Sequence, residues 1–223
     1  MGDSTMQYND ATTYPQVGWG QMLTLFFNNK VKIYNYAKNG CSTKSFVDLG
    51  IFNRAIEKIN KGSYCFIQFG HNDEKFDNPL RYTNKDTTYQ DNLRMYINEV
   101  KKRGGTPILL TSIYRRFFDD NHVIQDDVHI GYPEAMIKVG LEENVLCLDI
   151  CSKTKKLLSD LGDEKSKELF MIFEKNKYQN YPEGMFDNTH LRSDGAYAVA
   201  KVVSDSLIEI KHPLTRYLVK KSK

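Results

Sequence analysis

The alternation of short apolar runs with longer periodic segments constrains the fold of this chain most. Buried parallel strands are predicted where the apolar runs lie, at residues 31–36, 64–69, 107–112 and 145–149. Helical spacing of apolar side chains occurs between and after these runs, at residues 21–28, 45–60, 86–103, 132–143 and 193–210. Strands that alternate with helices predict an α/β protein with a parallel sheet and helices on both faces.

Length and composition predict a single soluble domain. The chain has 223 residues, of which 40% are hydrophobic and 26% charged, as in ordinary globular proteins. A chain of this length can bury one well-packed core, so we predict one domain over residues 1–223. The polar, lysine-rich residues 153–181 are interpreted as an excursion over the active face of the sheet, and not as a domain boundary.

Charge and hydropathy argue against nucleic-acid and membrane partners. The net charge is only +3, and the short basic tail at residues 211–223 reads as a solvated helix end. A membrane-spanning helix needs roughly 18 consecutive apolar residues, and none is present. Since Met1 runs directly into Gly2 and Asp3 without a signal peptide, we expect a cytoplasmic location as the sequence stands. Secretion stays open if the N-terminus is truncated.

The four cysteines do not predict a metal site. They are spread along the chain without a Cys-x-x-Cys pair, whereas structural zinc needs clustered ligands. The cysteines are therefore expected to be reduced thiols, and those inside apolar runs to act as small hydrophobic side chains.

Two stretches at opposite ends of the chain carry the groups of a hydrolytic site. Asp187 and His190 place a carboxylate and an imidazole three residues apart, and Ser4 follows Gly2 and Asp3. An imidazole can take the proton of a serine hydroxyl, and a carboxylate can orient the imidazole. An Asp-x-x-His pair is also a common turn arrangement, so the pair alone leaves both interpretations open.

Acyl transfer also needs hydrogen-bond donors for a developing oxyanion. Candidates are the backbone N–H groups of Ser4 and Gly40 and the side-chain amide of Asn72. Gly40 and Asn72 follow predicted strands, and ligands of parallel sheets bind beyond the carboxyl ends of the strands. The alternative is a turn glycine at position 40 and a strand-to-helix cap at Asn72.

The order and spacing of these four groups resemble the four sequence blocks of the SGNH hydrolases, also called GDSL-type esterases. Within that superfamily the chain is most similar to rhamnogalacturonan acetylesterases. The resemblance spans almost the whole chain, and it is carried by residues 2–5, 18–20, 39–46, 67–73, 111–116 and 187–196.

The resemblance implies a flavodoxin-like three-layer α/β/α fold and a serine esterase mechanism. Ser4 would be the nucleophile, His190 the base and Asp187 its orienter, with Ser4, Gly40 and Asn72 as oxyanion donors. It implies no metal and no organic cofactor, and it suggests acetyl groups on a pectic carbohydrate as the substrate. The family usually has a Gly-Arg-Ser sequence where this chain has Gly40-Cys41-Ser42, which puts any arginine contribution in doubt.

Further candidates for substrate contacts surround these blocks. His71 adjoins Asn72 and would line the pocket, or make a structural hydrogen bond. Arg115 and Arg116 end a predicted strand and would meet a sugar carboxylate, or form an intramolecular ion pair. Trp19, the single tryptophan, is a sugar platform or a core residue.

The first strand of such a sheet is absent from the sequence. Only Met1 precedes Gly2, where five or six apolar residues would normally lead to the nucleophile. Burying about four such side chains contributes roughly 6–12 kcal/mol, comparable with the stability of a whole domain. We therefore hypothesise an N-terminally shortened chain or a misassigned start, which the intact mass of the natural protein would test.

The predicted function is a serine carbohydrate esterase of the rhamnogalacturonan acetylesterase type. One alternative is a general SGNH esterase or lipase acting on lipid, thioester or small esters. Another is an inactive carbohydrate-binding or structural remnant, which the missing strand would explain. The sequence leaves the oligomeric state and the acetyl position open.

Overall fold

The computed structural model describes residues 1–219. Its helices are α1 (Trp19–Met22), α2 (Thr43–Asp48), α3 (Ile51–Ile56), α4 (Thr88–Lys102), α5 (Tyr132–Glu142), α6 (Ile150–Ser166) and α7 (Ser193–Glu209). Its strands are β1 (Tyr64–Ile67), β2 (Thr106–Leu110), β3 (Cys147–Leu148), β4 (Phe170–Phe173) and β5 (Met185–Leu191). Residues 220–223, the end of the predicted basic tail, lie outside the described residues.

Two compact units alternate along the chain. The first contains Met1–Ser4, Tyr36–Ser112 and Asp127–Cys151. The second contains Thr5–Asn35, Ile113–Asp126 and the chain from Ser152 onward. The assignment of residues 1–223 to one domain stays a prediction.

The first unit contains a parallel sheet with the strand order β1-β2-β3. β1 and β2 pair in the register Tyr64↔Thr106 to Ile67↔Leu109, and β3 adds two residues. Ile67, Leu109 and Leu110 are buried, as expected for a parallel strand that is covered on both faces. The strands predicted at residues 64–69, 107–112 and 145–149 are confirmed, the last in shorter form.

The backbone just before Asp3 lies against the outer edge of β1. Gly2 forms a parallel bridge with Gln68, and the Gln68 N–H donates to the Met1 carbonyl at 3.1 Å. The Met1 amine is buried and donates to the Phe66 carbonyl at 2.8 Å, and this burial lowers the pKa of the amine. Asp3 and Ser4 therefore leave the sheet at its carboxyl edge; the hypothesis of a shortened N-terminus stays a prediction.

The predicted strand at residues 31–36 is wrong. None of these residues is buried, and within the described chain none of them joins a β-ladder. Lys32 and Tyr34 face solvent. An apolar run becomes a strand only where a neighbouring backbone pairs with it in a ladder, and residues 31–36 form no such ladder within the described chain.

Helix α4 buries its predicted apolar face in the core of the first unit. Leu93, Tyr96, Ile97 and Val100 are fully buried there. The predicted single helix at residues 45–60 is instead two short helices, because Gly50 adopts a left-handed conformation (φ 66°) between α2 and α3. A capping box between Ser42 and Ser45 starts α2, since it satisfies backbone N–H groups that have no partner in the helix.

The second unit contains an antiparallel hairpin that sequence reasoning missed. β4 pairs with β5 in the register Ile172↔Phe186 and Phe173↔Met185. Residues 153–181, interpreted as an excursion, form most of α6, which is interrupted at Gly162, and all of β4. Trp19 is fully buried, so it is a core residue. No helix within residues 1–219 is long and apolar enough to cross a membrane.

A buried carboxylate joins three segments of the first unit. Asp73 accepts hydrogen bonds from the Thr43 backbone N–H (3.0 Å) and hydroxyl (2.5 Å) and from the Thr83 hydroxyl (2.8 Å). The Tyr132 phenol donates to the Asp73 carbonyl at 3.1 Å. Burial raises the pKa of Asp73 to about 7, although the hydrogen bonds from Thr43 and Thr83 oppose the rise.

Replacing Asp73 by Asn is expected to flatten the pH dependence of stability between about pH 4 and pH 7. In the wild type the unfolded carboxyl loses its proton in this interval while the folded one retains it. The free energy of unfolding therefore falls as the pH rises, by an amount on the order of a few kcal/mol. Urea unfolding of both proteins at several pH values measures the slope. Asp48→Asn, which changes an exposed carboxylate, should keep the wild-type slope, and parallel curves for Asp73→Asn would contradict the assignment.

Candidate active site

Ser4 lies in a buried turn at the carboxyl edge of the parallel sheet. Asp3 and Ser4 are both buried, and the Asp3 carboxylate lies 3.0 Å from Nδ1 of His71. His71 follows the end of β1 and precedes Asn72. The Asp3–His71 contact therefore ties the turn that carries Ser4 to the loop that carries Asn72.

The side-chain amide of Asn72 is held at both ends. Its Nδ2 donates to the Cys41 carbonyl at 3.0 Å, and Nη1 of Arg81 donates to its Oδ1 at 3.4 Å. These contacts settle which end of the amide is the nitrogen. The nitrogen carries two N–H groups, and the one on Cys41 fixes the direction of the other.

The backbone conformation at Gly40 favours glycine. Its φ of 74° lies in the left-handed region, and a Cβ atom there would lie 3.0 Å from Nη2 of Arg81. Other residues are strained in this conformation. The first unit thus contains all three predicted oxyanion donors, Ser4, Gly40 and Asn72, with the Arg81 guanidinium against the last two.

His71 belongs to a buried chain of ionisable groups. Its ring packs edge-on against His129 with centroids 4.9 Å apart, and Nδ1 of His129 lies 3.1 Å from the Glu74 carboxylate. Both imidazoles are 2% exposed. The geometry favours the structural alternative for His71, and its contact with substrate stays a prediction.

The Asp187–His190 pair lies on β5 in the second unit. Oδ2 of Asp187 lies 2.6 Å from Nδ1 of His190, and Oδ1 accepts the backbone N–H groups of Thr189 (2.7 Å) and His190 (3.0 Å). Burial alone would raise the pKa of Asp187, but the hydrogen bonds and the attraction of His190 lower it to about 2. An ionised carboxylate only accepts hydrogen bonds, so Nδ1 carries the proton and the lone pair of a neutral ring lies on Nε2.

Arg116 holds β5 from inside the second unit. Its backbone N–H donates to the Asn188 carbonyl (2.9 Å) and its Nη1 to Oδ1 of Asn188 (3.1 Å). The guanidinium also donates to the Ser166 hydroxyl and to the carbonyl and carboxylate of Asp163. Because Arg116 is 3% exposed, its geometry favours the predicted alternative, an intramolecular ion pair. Arg115 is half-buried, and a substrate contact by either arginine stays a prediction.

A possible cation-binding group occurs near Arg116. His122, Asp163 and Glu164 bring potential ligand atoms within 4.8 Å of one another. Nδ1 of His122 lies 2.6 Å from the Asp163 carboxylate, which already pairs with the Arg116 guanidinium. A neighbouring guanidinium disfavours a second cation at that carboxylate.

Sequence reasoning missed Arg81, and for Arg116 it left open whether the guanidinium meets a substrate or forms an intramolecular ion pair. Arg81 is nine residues from Asn72 in a loop without regular structure, so no spacing rule brings them together. The place of Arg116 at the end of a predicted strand indicates where the residue lies, but not which groups its side chain contacts. The structural role of each guanidinium follows only from the groups that contact it in the tertiary structure.

Comparison with known proteins assigns the chain to a family. Residues 1–198 match the GDSL-like Lipase/Acylhydrolase family. The chain belongs to this family. As a member of an acylhydrolase family it is a carboxylic ester hydrolase.

Two relatives in Bacillus subtilis (strain 168) are similar over nearly the whole chain. The first, rhamnogalacturonan acetylesterase RhgT, is 39% identical over 218 residues, covering 98% of this chain and 92% of the relative. The second, probable rhamnogalacturonan acetylesterase YesY, is 36% identical over 220 residues, covering 98% and 95%. These matches confirm the resemblance drawn from the sequence blocks.

Solved structures confirm the SGNH fold class, a flavodoxin-like three-layer α/β/α arrangement with a parallel sheet. A Bacillus subtilis protein superposes with a TM-score of 0.78 at 21% identity, covering 95% of this chain and 56% of its own. The acetylxylan esterase Axe2 of Geobacillus stearothermophilus superposes with a TM-score of 0.63 at 17% identity, covering 92% and 91%.

Replacing Arg116 by Ala is expected to lower the free energy of unfolding by about 3 kcal/mol, because Asp163, Ser166 and Asn188 all lose hydrogen bonds to a buried guanidinium. Activity should fall as well, since Asn188 lies between Asp187 and His190. Urea unfolding and ester hydrolysis measure the two effects. Arg94→Ala removes the ion pairs of a more exposed guanidinium, so it should cost about 1 kcal/mol or less. Equal losses in the two variants would contradict the role given to Arg116.

Proposed function

We propose that this chain is a serine carbohydrate esterase that removes O-acetyl groups from a pectic poly- or oligosaccharide. The observation that carries the proposal is the Asp187–His190 pair, with 2.6 Å between carboxylate and imidazole, in a member of an acylhydrolase family. Support for the substrate comes from the two relatives, both named rhamnogalacturonan acetylesterases.

In the proposed mechanism Ser4 forms an acetyl-enzyme. Nε2 of His190 takes the hydroxyl proton as Ser4 Oγ attacks the acetyl carbonyl carbon. The tetrahedral intermediate expels the sugar oxygen, which receives the same proton from His190. Water then attacks the acetyl-enzyme with His190 again as the base, and acetate leaves while Ser4 regains its proton.

The role of Asp187 in this scheme is to orient the His190 ring and to stabilise its protonated form. With its pKa lowered to about 2, it remains ionised wherever His190 can act as a base. It thereby keeps the proton on Nδ1 and stabilises the imidazolium that forms in each half-reaction. Its Oδ1 is held by two backbone N–H groups, so the carboxylate itself does not rotate away.

The proposed oxyanion site uses donors that are fixed before the reaction. The N–H groups of Ser4 and Gly40 and the Asn72 amide would face the negative oxygen of the intermediate. The Arg81 contact with Oδ1 of Asn72 polarises this amide and makes its N–H groups better donors. His190 carries each transferred proton: the Ser4 proton goes to the departing sugar oxygen, and a proton from the attacking water restores Ser4.

Acetate release from a substrate panel tests the function. The wild type should act best on acetylated rhamnogalacturonan, less on acetylated xylan and on p-nitrophenyl acetate, and least on long-chain p-nitrophenyl esters. Ser4→Ala and His190→Ala should reduce kcat to a small residue, and Asp187→Asn by about 10⁴-fold through the wrong tautomer.

Three results would contradict this proposal. Preference for long-chain esters would favour a lipase. Absence of turnover in a folded wild-type protein would favour an inactive remnant. Normal turnover by Ser4→Ala would refute the nucleophile. Ser45→Ala is a suitable control for the loss of a hydroxyl, because the Ser45 side chain belongs to the capping box at the start of α2.

Replacing Asn72 by Ala is expected to lower kcat about 10²–10³-fold with little change in KM, because the donor acts mainly in the transition state. Arg81→Ala should lower kcat by a smaller factor, since Arg81 acts through Asn72. Steady-state kinetics with p-nitrophenyl acetate separate kcat from KM. A rise in KM with unchanged kcat for Asn72→Ala would place this residue in substrate binding instead.

A further inference from the structure

Three tyrosines and a phenylalanine pack together in the second unit. The ring centroids of Tyr14 and Tyr178 are 5.7 Å apart with an interplanar angle of 79°. Phe173, the last residue of β4, contacts Tyr178 at 4.6 Å and Tyr181 at 5.7 Å, both edge-to-face. Edge-to-face packing is a favourable arrangement for aromatic rings. We call Tyr14, Tyr178 and Tyr181 the tyrosine cluster.

Hydrogen bonds hold the backbone of this cluster in place. Nδ2 of Asn180 donates to the carbonyls of Ala11 (2.8 Å) and Tyr14 (2.9 Å). Tyr178 and Tyr181 are joined by an antiparallel bridge. The rings therefore keep their positions without a ligand, which reduces the entropy that binding would cost.

The cluster adjoins the Asp187–His190 pair. The segment after Tyr14 is tied to the end of β5, since Val17 N–H donates to the Leu191 carbonyl at 2.9 Å and Gln16 bridges Arg192. Tyr181 lies close enough to Asp187 that the carboxylate, after burial, contributes to raising the pKa of the phenol.

Tyr14 is the most exposed ring of the tyrosine cluster. Tyr14 is 57% exposed, while Tyr178 and Tyr181 are half-buried. Tyrosine joins an apolar ring to a hydroxyl group that can donate and accept hydrogen bonds. A sugar ring has the matching chemistry, with C–H bonds on its face and hydroxyls at its edge.

We propose that the tyrosine cluster is a sugar-binding subsite that holds a ring of the glycan chain beside the acetylated residue. The proposal rests on the proposed function, which supplies the glycan. The face of the sugar packs on Tyr14, and the phenol groups of the cluster hydrogen-bond to sugar hydroxyls. Binding there positions the chain for repeated deacetylation near His190.

Kinetics of Tyr14→Ala and Tyr14→Phe on two substrates test the subsite. One substrate is an acetylated rhamnogalacturonan oligosaccharide, and the other is p-nitrophenyl acetate, which is too small to span the subsite. For Tyr14→Ala the ratio of kcat/KM on the oligosaccharide to kcat/KM on the ester should fall up to about tenfold, mainly through KM. Tyr14→Phe keeps the ring and should lose less. Tyr34→Ala, which changes a half-exposed tyrosine outside the cluster, should keep the wild-type ratio.

A binding measurement separates this proposal from the proposed function. Calorimetry of the oligosaccharide with Ser4→Ala and with Ser4→Ala/Tyr14→Ala needs no turnover, and the second protein should bind about tenfold more weakly. Equal affinities would overturn the subsite, even if the enzyme deacetylates pectin. An equal fall of kcat/KM on both substrates would overturn it too, because the cluster would then only support Asp187 and His190. A matching KM rise on a long-chain aryl ester would indicate an acyl-chain surface and would also overturn it.

Discussion

The buried Asp73 carboxylate is the interaction on which the first unit depends. It accepts hydrogen bonds from three donor groups of Thr43 and Thr83. These bonds join the start of α2, the loop after β1 and the segment that leads to α4. Asn72 is its immediate neighbour, so the position of the proposed oxyanion amide follows from this network. A buried carboxylate without such partners would cost several kcal/mol, and the donors of Thr43 and Thr83 reduce that cost.

The second unit also contains a buried ionisable group that joins distant segments, and here the group is a cation. Arg116 is a buried guanidinium whose donors are taken by Asp163, Ser166 and Asn188. Its effect is to fix the strand that carries Asp187 and His190. In both units an ionisable group that is expensive to bury in its charged form has several hydrogen-bond partners, and these partners come from segments far apart in sequence. Such contacts hold loops more rigidly than apolar packing, because hydrogen bonds constrain direction as well as distance.

Prediction from sequence succeeded where a local pattern matched its tertiary environment. The runs at 64–69 and 107–112 became β1 and β2 because each found a parallel partner. The run at 31–36 had a similar apolar content and failed for want of a backbone ladder. The hairpin of β4 and β5 was not predicted because β5 carries the polar residues Asp187, Asn188 and His190. These residues interrupt the alternation of apolar and polar side chains that indicates a strand. Gly50 divided a periodic segment that read as one helix, since a left-handed residue costs glycine little.

The sequence by itself determined the α/β class, the family, and the identity of the candidate groups Ser4, Gly40, Asn72, Asp187 and His190. It could do so because these depend on residue type and order, which short motifs record directly. Only the tertiary structure decided what Arg81, Arg116 and the tyrosine cluster contact. Arg81 contacts Asn72 nine residues away, Arg116 contacts Asn188 72 residues away, and Tyr14 contacts Tyr178 more than 160 residues away. Contacts across such separations follow from packing of the whole unit rather than from any local pattern.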